Sequence, residues 1–116
     1  MAELTKDGND LVLTLSAFER AESVHGDLRV PIGSVRGVDI VGDVIHEVQG
    51  LKFPGARWPG KFAVGTFLGS GGKTFAVVHH DTPRGVRVRL EGQSYDELIV
   101  GATDPETMAA AVRPID

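Results

Sequence analysis

Residues 62–78 read FAVGTFLGSGGKTFAVV and contain two runs of β-branched and aromatic residues separated by a glycine-rich segment. Glycine adopts the positive φ angles of tight turns without steric cost, so we expect Gly69 to Gly72 to form a hairpin loop. The runs Phe62–Leu68 and Lys73–Val78 then become two paired antiparallel strands. This segment predicts a fold built from short strands joined by turns.

The alternation of apolar and polar residues continues on both sides of this hairpin. In Leu11–Leu15, Leu28–Ile32 and Val86–Leu90, apolar side chains occupy every second position, which places them on one face of an extended strand. Val35–Val41 and Leu98–Val100 are two further β-rich runs. We therefore predict about seven short strands, a pattern typical of an antiparallel sandwich or barrel.

Two short helices are also predicted. Ala17–Val24 consists largely of good helix formers and follows Ser16, a residue type that caps helix N-termini. Nearer the C-terminus, Asp104 can cap a helix that has Pro105 at its first position. This second helix is too short to be stable alone, so we expect it to dock on the β-structure. Its apolar face comprises Met108, Ala109 and Val112.

The segment Gly50–Gly60 interrupts the strand pattern. The pairs Pro54-Gly55 and Pro59-Gly60 each favour a type II turn, because proline fixes φ at the second position and glycine accepts positive φ at the third. The segment also carries apolar side chains that need cover, so we interpret it as a long ordered loop. Such loops in compact domains are often functional. The apolar side chains are Leu51, Phe53 and Trp58.

Length and composition predict one globular domain. The chain has 116 residues, of which 41% are hydrophobic and 24% charged. The absence of cysteine excludes disulfides and thiol nucleophiles. Residues 1–10 are polar and do not form a signal peptide, and no run approaches the ~20 apolar residues of a spanning helix. We expect a cytoplasmic protein, with peripheral contact at the inner membrane face as an alternative.

Charge is unevenly distributed along the chain. The net charge is −4, which argues against nucleic acid as a partner, yet residues 48–95 carry seven basic and only two acidic side chains. One interpretation is a cationic surface with a function. We favour a second interpretation, in which acidic residues from the two flanking thirds of the chain, residues 1–47 and 96–116, lie beside these basic residues and neutralise them.

Motifs that carry chemistry are incomplete. Gly72-Lys73-Thr74 resembles the end of a phosphate-binding loop, but Phe67 replaces its first glycine and a β-like run follows it. The start of a zinc-protease motif at His46 lacks the second histidine, because position 50 is Gly50. His79 and His80 would point to opposite faces of a strand. We therefore expect no catalytic residues, no metal and no cofactor, with a small hydrolase or metal-binding enzyme using these two histidines as a remote alternative.

Several turn and strand motifs together resemble a known family. They are Gly50 to Gly55, Pro59-Gly60, Gly65-Thr66-Phe67, Gly72 to Phe75, Tyr95 to Val100 and Asp104-Pro105-Glu106. This set is similar to the bacterial pleckstrin-homology-like (PH-like) domains, especially the short single-domain proteins of actinobacteria. The resemblance covers about residues 10–113 of a single domain spanning 1–116. It implies a mainly β fold, a seven-stranded, bent antiparallel barrel or sandwich capped by a short C-terminal helix.

The resemblance also bears on ligands. Pleckstrin-homology domains that bind phosphoinositides use a basic cluster in the first hairpin loop, whereas this chain has Glu19, Arg20 and Glu22 after its first predicted strand. Phosphoinositide binding is therefore not expected. Members of the fold also bind peptides and proteins, which implies a non-catalytic interaction module here. An alternative is a structural protein that oligomerises through barrel edge strands.

Trp58 is the centre of the predicted binding surface. It is the only tryptophan, and basic residues surround it in sequence. Tryptophan and arginine are common among binding hot spots, and the partner would be a protein, a peptide or an anionic surface. The alternative, which we favour for the Trp58 ring itself, is that it folds inward and covers one mouth of the barrel. The candidate residues are Lys52, Arg57, Trp58, Lys61, Lys73, Arg87 and Arg89.

Overall fold

The computed structural model describes residues 2–23, 26–48, 51–58, 60–69 and 72–113, and it describes only the backbone of residues 22–23 and 51–56. The strands are β1 (Glu3–Asp7), β2 (Asp10–Thr14), β3 (Leu28–Pro31), β4 (Val35–Val41), β5 (Leu51–Trp58), β6 (Phe62–Gly69), β7 (Gly72–His79), β8 (Gly85–Leu90) and β9 (Glu97–Gly101). The helices are α1 (Ala17–Ser23), α2 (Val44–Glu47) and α3 (Pro105–Val112), and a 3-10 turn covers Ile32–Ser34.

The described strands form two sheets. The small sheet has the order β1-β2-β3, and the large sheet has the order β4-β8-β9-β7-β6-β5. The prediction of a mainly β fold with a short C-terminal helix is confirmed. The described residues form nine strands rather than about seven, and neither sheet closes on itself. The two strands that the sequence did not predict are β1 and β5.

One strand pair is parallel, contrary to the prediction of an all-antiparallel fold. β9 lies between β8 and β7; it is antiparallel to β8 and parallel to β7, with Phe75 opposite Leu98. The reason is that β7 and β8 run in opposite directions but are not neighbours. A strand inserted between them must be parallel to one and antiparallel to the other.

The interpretation of Gly50–Gly60 as a loop is wrong for most of its length. Leu51–Trp58 is β5, the edge strand beside β6, and its register with β6 shifts between Lys52 and Gly55. Pro54 is tolerated there because an edge strand or a bulge does not require every N–H group to pair. The type II turn expected at Pro54-Gly55 is therefore absent from this described strand.

The turn expected after β5 agrees with the geometry of its described residues. The backbone N–H of Lys61 donates to the carbonyl of Trp58 over 2.9 Å, and Gly60 has φ 77°. This positive φ is what a type II turn requires at its third position. Pro59, the predicted second residue of the turn, and Gly50 lie outside the described residues.

The main core lies between the two sheets. Its largest fully buried side chains include Leu11 and Leu13 from β2, Phe75 from β7 and Leu98 from β9. The predicted helix at the C-terminal end is confirmed as α3. Its cap is the side chain of Asp104, which accepts from the backbone N–H of Thr107 over 3.2 Å. The predicted apolar face packs on this core: Ala109 and Val112 are buried and Met108 is half-buried.

A second apolar cluster lies on the other face of the large sheet. There, α2 places Val44 and Val48 over Phe67, Val78 and Ile99. The large sheet is therefore covered on both faces near its centre. One accessible part of the large sheet is the end where β5 and β6 meet α1.

Candidate functional site

Three ring-bearing residues form a row across one end of the large sheet. Trp58 on β5 is opposite Phe62 on β6, and Phe62 is opposite His79 on β7. Directly opposed residues of antiparallel strands project from the same face, so the three side chains share one side of the sheet. The Phe62 and His79 ring centroids are 6.4 Å apart. This row forms the floor of a groove.

Helix α1 forms a wall of the same groove, and its start is fixed by a capping box. The backbone N–H of Glu19 donates to Oγ of Ser16 over 3.2 Å, and the backbone N–H of Ser16 donates to Oε1 of Glu19 over 2.9 Å. This reciprocal pair satisfies two N–H groups that a helix N-terminus otherwise leaves unpaired. The predicted helix and its Ser16 cap are confirmed, although Val24 lies outside the described residues.

The second carboxylate oxygen of Glu19 contacts the sheet. Oε2 lies 3.2 Å from Nε2 of His79, and Glu19 is only 3% exposed. Burial alone would raise the pKa of Glu19, but hydrogen bonds from Ser16 and from His79 outweigh it, so the pKa is below its ordinary value. Glu19 is therefore ionised at neutral pH. A carboxylate can only accept, so Nε2 of His79 must carry the proton.

The other ring nitrogen of His79, Nδ1, is exposed to solvent. In a neutral imidazole with its proton on Nε2, Nδ1 is a hydrogen-bond acceptor. Within the described part of the chain, the only buried side-chain nitrogen or oxygen without a hydrogen bond is Nε of Arg87. Nδ1 of His79 makes no hydrogen bond to a described residue, so it is accessible to solvent, and His79 lines the groove.

Two of the side chains that line the groove are aromatic and mostly exposed. Phe18 on α1 is 71% exposed and Trp58 is 62% exposed, and both line the groove, whose volume is about 640 Å³. The expectation that the Trp58 ring folds inward is therefore wrong. Trp58 lies at the end of an edge strand, where Phe62 and α1 already cover the core. Lys61, His80 and Asp81 complete the rim.

Of the other predicted binding residues, the structure brings only Lys61 to Trp58. Arg57 neighbours Trp58 in sequence but projects from the opposite face of the sheet. There its guanidinium lies 5.3 Å from the centroid of the Phe67 ring and donates to the carbonyl of Val48. The side chain of Lys52 lies outside the described residues.

The remaining predicted residues do not join the groove. Arg87 pairs with Glu47 and, at 3.9 Å, with Glu97, while Arg89 is 3.4 Å from Asp39. Both arginines lie on β8, which three strands separate from β5. These contacts agree with the interpretation that acidic residues from the flanking thirds neutralise the cationic middle of the chain.

Lys73 also lies away from the groove. Its ammonium nitrogen is 4.9 Å from the centroid of the Tyr95 ring, and its backbone N–H donates to the Asp96 carboxylate over 2.8 Å. These contacts hold Lys73 against the β8–β9 connection. Lys73 therefore contributes no charge to the surface around Trp58.

The histidines do not assemble a metal centre in the described part of the chain. His80 is exposed in the turn after β7, and His46 on α2 contacts Asp43 instead, with Nδ1 2.5 Å from Oδ2. His25 lies outside the described residues. Across the described residues, no three His, Asp or Glu side chains form a group that could hold a metal ion.

Of the residues that line the groove, the sequence predicted only Trp58 and Lys61 as binding residues. His79 and His80 were considered only for the remote enzyme alternative. Glu19 could have been found from the spacing Ser16-x-x-Glu19, which is a capping-box pattern. Phe18 and Phe62 carry no local signal of function, because an aromatic residue in a helix or strand is usually part of the core.

Comparisons with known proteins add no identification. No protein-family model, no curated protein and no solved structure matches this chain. The resemblance to PH-like domains therefore stays a prediction. In the described ranges, the chain also has no helix of sufficient length and apolarity to cross a membrane.

Proposed function

We propose that this protein is a non-catalytic binding module whose groove accepts a segment of a partner protein. The observation that carries the proposal is that Phe18 and Trp58, both mostly exposed, line the same groove. Contiguous exposed apolar surface often marks an interaction site, and tryptophan is enriched at binding hot spots. Two exposed aromatic rings in one groove suit an inserted side chain of the partner.

A protein segment fits this site better than an anionic membrane. Arg87 and Arg89, which the sequence predicted as part of a cationic surface, have acidic partners and lie on the opposite face of the large sheet. Among the described residues that line the groove, Lys61 supplies the one ammonium group, beside the carboxylates of Glu19 and Asp81. Such a surface gives little electrostatic attraction to anionic lipids.

The resemblance to PH-like domains supports the same class of function, since that fold also serves to bind peptides and proteins. A cytoplasmic location fits a module of this kind. Assembly through strand β5 is less well supported. Pro54 and the register shift beside it interrupt the edge along which another strand would have to pair.

The proposal can be tested with a displayed library of random peptides. The library is sorted on the wild-type protein and depleted on the double variant Phe18→Ala, Trp58→Ala. The matched control is the double variant Ile40→Ala, Leu68→Ala, which removes two other exposed large apolar side chains outside the groove. We expect peptides that bind the wild type and the control alike but not the groove variant. Peptides that bind all three proteins equally, or no enrichment at all, would refute the proposal.

A further inference from the structure

The polar groups of the groove define the chemistry of its occupant. We propose that the partner segment inserts a lysine or arginine side chain between Phe18 and Trp58. This inference rests on the proposed function and adds to it the charge and shape of the residue that is recognised.

Acidic side chains outnumber ammonium groups among the described residues that line the groove. The carboxylates of Glu19 and Asp81 both line it, and Nδ1 of His79 is a third acceptor when the ring is neutral. Lys61 supplies the only permanent positive charge among the described lining residues. With neutral histidines, the two carboxylates outnumber the one ammonium group. An ammonium or guanidinium group has only donors, so it complements this set of acceptors.

The aromatic lining of the groove suits the rest of a basic side chain. Lysine and arginine have long apolar stems that pack on aromatic rings while the charged head reaches polar groups. The faces of Trp58 and Phe18 also attract a cation directly, through the negative face of the π-system. The same chain already uses this contact twice, between Arg57 and Phe67 and between Lys73 and Tyr95.

The other classes of side chain match the groove less well. An apolar residue would displace water from the polar groups that line the groove without supplying a donor to them, which is unfavourable. An acidic residue would meet the carboxylates of Glu19 and Asp81. The Nε2–H of His79 could not compensate, because it already donates to Glu19.

The first part of the test is the composition of the groove-dependent peptides. We expect lysine and arginine to be enriched over the input library at one position. Replacing that residue by norleucine, which keeps the stem but removes the charge, should weaken binding about tenfold or more. Affinity is measured from the change in fluorescence of Trp58, the only tryptophan of the chain.

The second part uses charge variants of the rim, since Lys61 and Asp81 are both exposed. Asp81→Asn should weaken the basic peptide about two- to fivefold, and Lys61→Gln should strengthen it by a similar factor. Opposite signs distinguish an electrostatic effect from general damage to the fold, which would weaken binding in both variants. Changes in the same direction would contradict the inference.

The two proposals fail in different ways. Groove-dependent peptides that are neutral or acidic at the inserted position would overturn the cationic ligand and leave the binding module standing. The absence of any groove-dependent peptide would overturn both. Both proposals are supported if basic residues are enriched, if norleucine weakens binding, and if Asp81→Asn and Lys61→Gln change the affinity in opposite directions.

Discussion

Glu19 and His79 are 60 positions apart in sequence, yet Oε2 of one lies 3.2 Å from Nε2 of the other. The contact joins the start of α1 to the end of β7. Because Glu19 also accepts from the backbone of Ser16, one buried carboxylate both caps the helix and fastens it to the sheet. In this contact Nε2 of His79 carries the proton, because a carboxylate can only accept.

We expect Glu19→Gln to destabilise the fold by about 1–3 kcal/mol at pH 7, because the ring N–H of His79 and the Ser16 N–H lose a charged acceptor. The pKa of Glu19 is lowered in the folded protein. The stability that Glu19 contributes is therefore fully present when the pH is above the pKa of this residue in the unfolded chain. It is lost as the pH falls through the pKa of this residue in the folded protein.

Urea unfolding at pH 7 and in steps below pH 5 measures this effect. The loss caused by Glu19→Gln should shrink as the pH falls, because the wild-type carboxylate is then protonated. Glu106→Gln is the matched control, since it makes the same change on an exposed residue paired with Arg84. A difference between wild type and Glu19→Gln that does not depend on pH would contradict the assignment.

We expect Trp58 to fluoresce as an exposed tryptophan, because 62% of its surface is accessible. Its emission should resemble that of N-acetyltryptophanamide, and iodide should quench it efficiently. Vesicles of anionic lipid should leave the spectrum unchanged. A blue-shifted emission resistant to iodide would mean that the ring is buried, and a salt-sensitive blue shift with anionic vesicles would favour membrane docking.

Gly85 at the start of β8 is expected to tolerate no side chain. A Cβ atom there would lie 2.2 Å from the carbonyl oxygen of Val100 and 2.7 Å from Cγ1 of Val44. Gly85→Ala should therefore destabilise the fold by about 1–3 kcal/mol or more in urea unfolding. Gly42→Ala is the control, because a Cβ at that position meets no atom within 4 Å. Equal stability of the two variants would show that the β8–β9 contact is looser than described.

Asp104 should be the main cap of α3. Asp104→Ala removes the acceptor for the backbone N–H of Thr107 and should cost about 1 kcal/mol of unfolding free energy. Asp104→Asn keeps a side-chain oxygen and should lose only part of this. If both variants unfold at the wild-type urea concentration, α3 is held by the packing of Ala109 and Val112 alone.

The sequence correctly predicted those elements that are specified by residues within or next to the element itself. The hairpin around Gly69 to Gly72 and helix α3 follow from turn and cap residues. Strand β5 was missed because Pro54 and its neighbouring glycines resemble a loop, and only pairing with β6 makes them a strand. The position of β9 was missed because alternation along a strand does not reveal which strands lie beside it.

The candidate site, too, could be predicted from the sequence only in part. Trp58 could be predicted as a binding residue because it is a single tryptophan among basic residues. The neutralisation of Arg87 and Arg89 could not, because their acidic partners come from β4, α2 and β9. No local sequence pattern reveals those pairs. The groove needs α1 beside the row of Trp58, Phe62 and His79, which is a relationship of tertiary structure only.

The central place of β9 has a consequence for the order in which the protein can assemble during translation. Without residues 97–101, the large sheet is two separate pieces, β4 with β8 and the β5-β6-β7 meander, each with an unpaired edge. The residues that line the groove are therefore all synthesised before β9, the strand that completes the supporting sheet. Until β9 leaves the ribosome, the β7 edge of the nascent chain would be unpaired and prone to aggregation. A chaperone would be most useful during this interval.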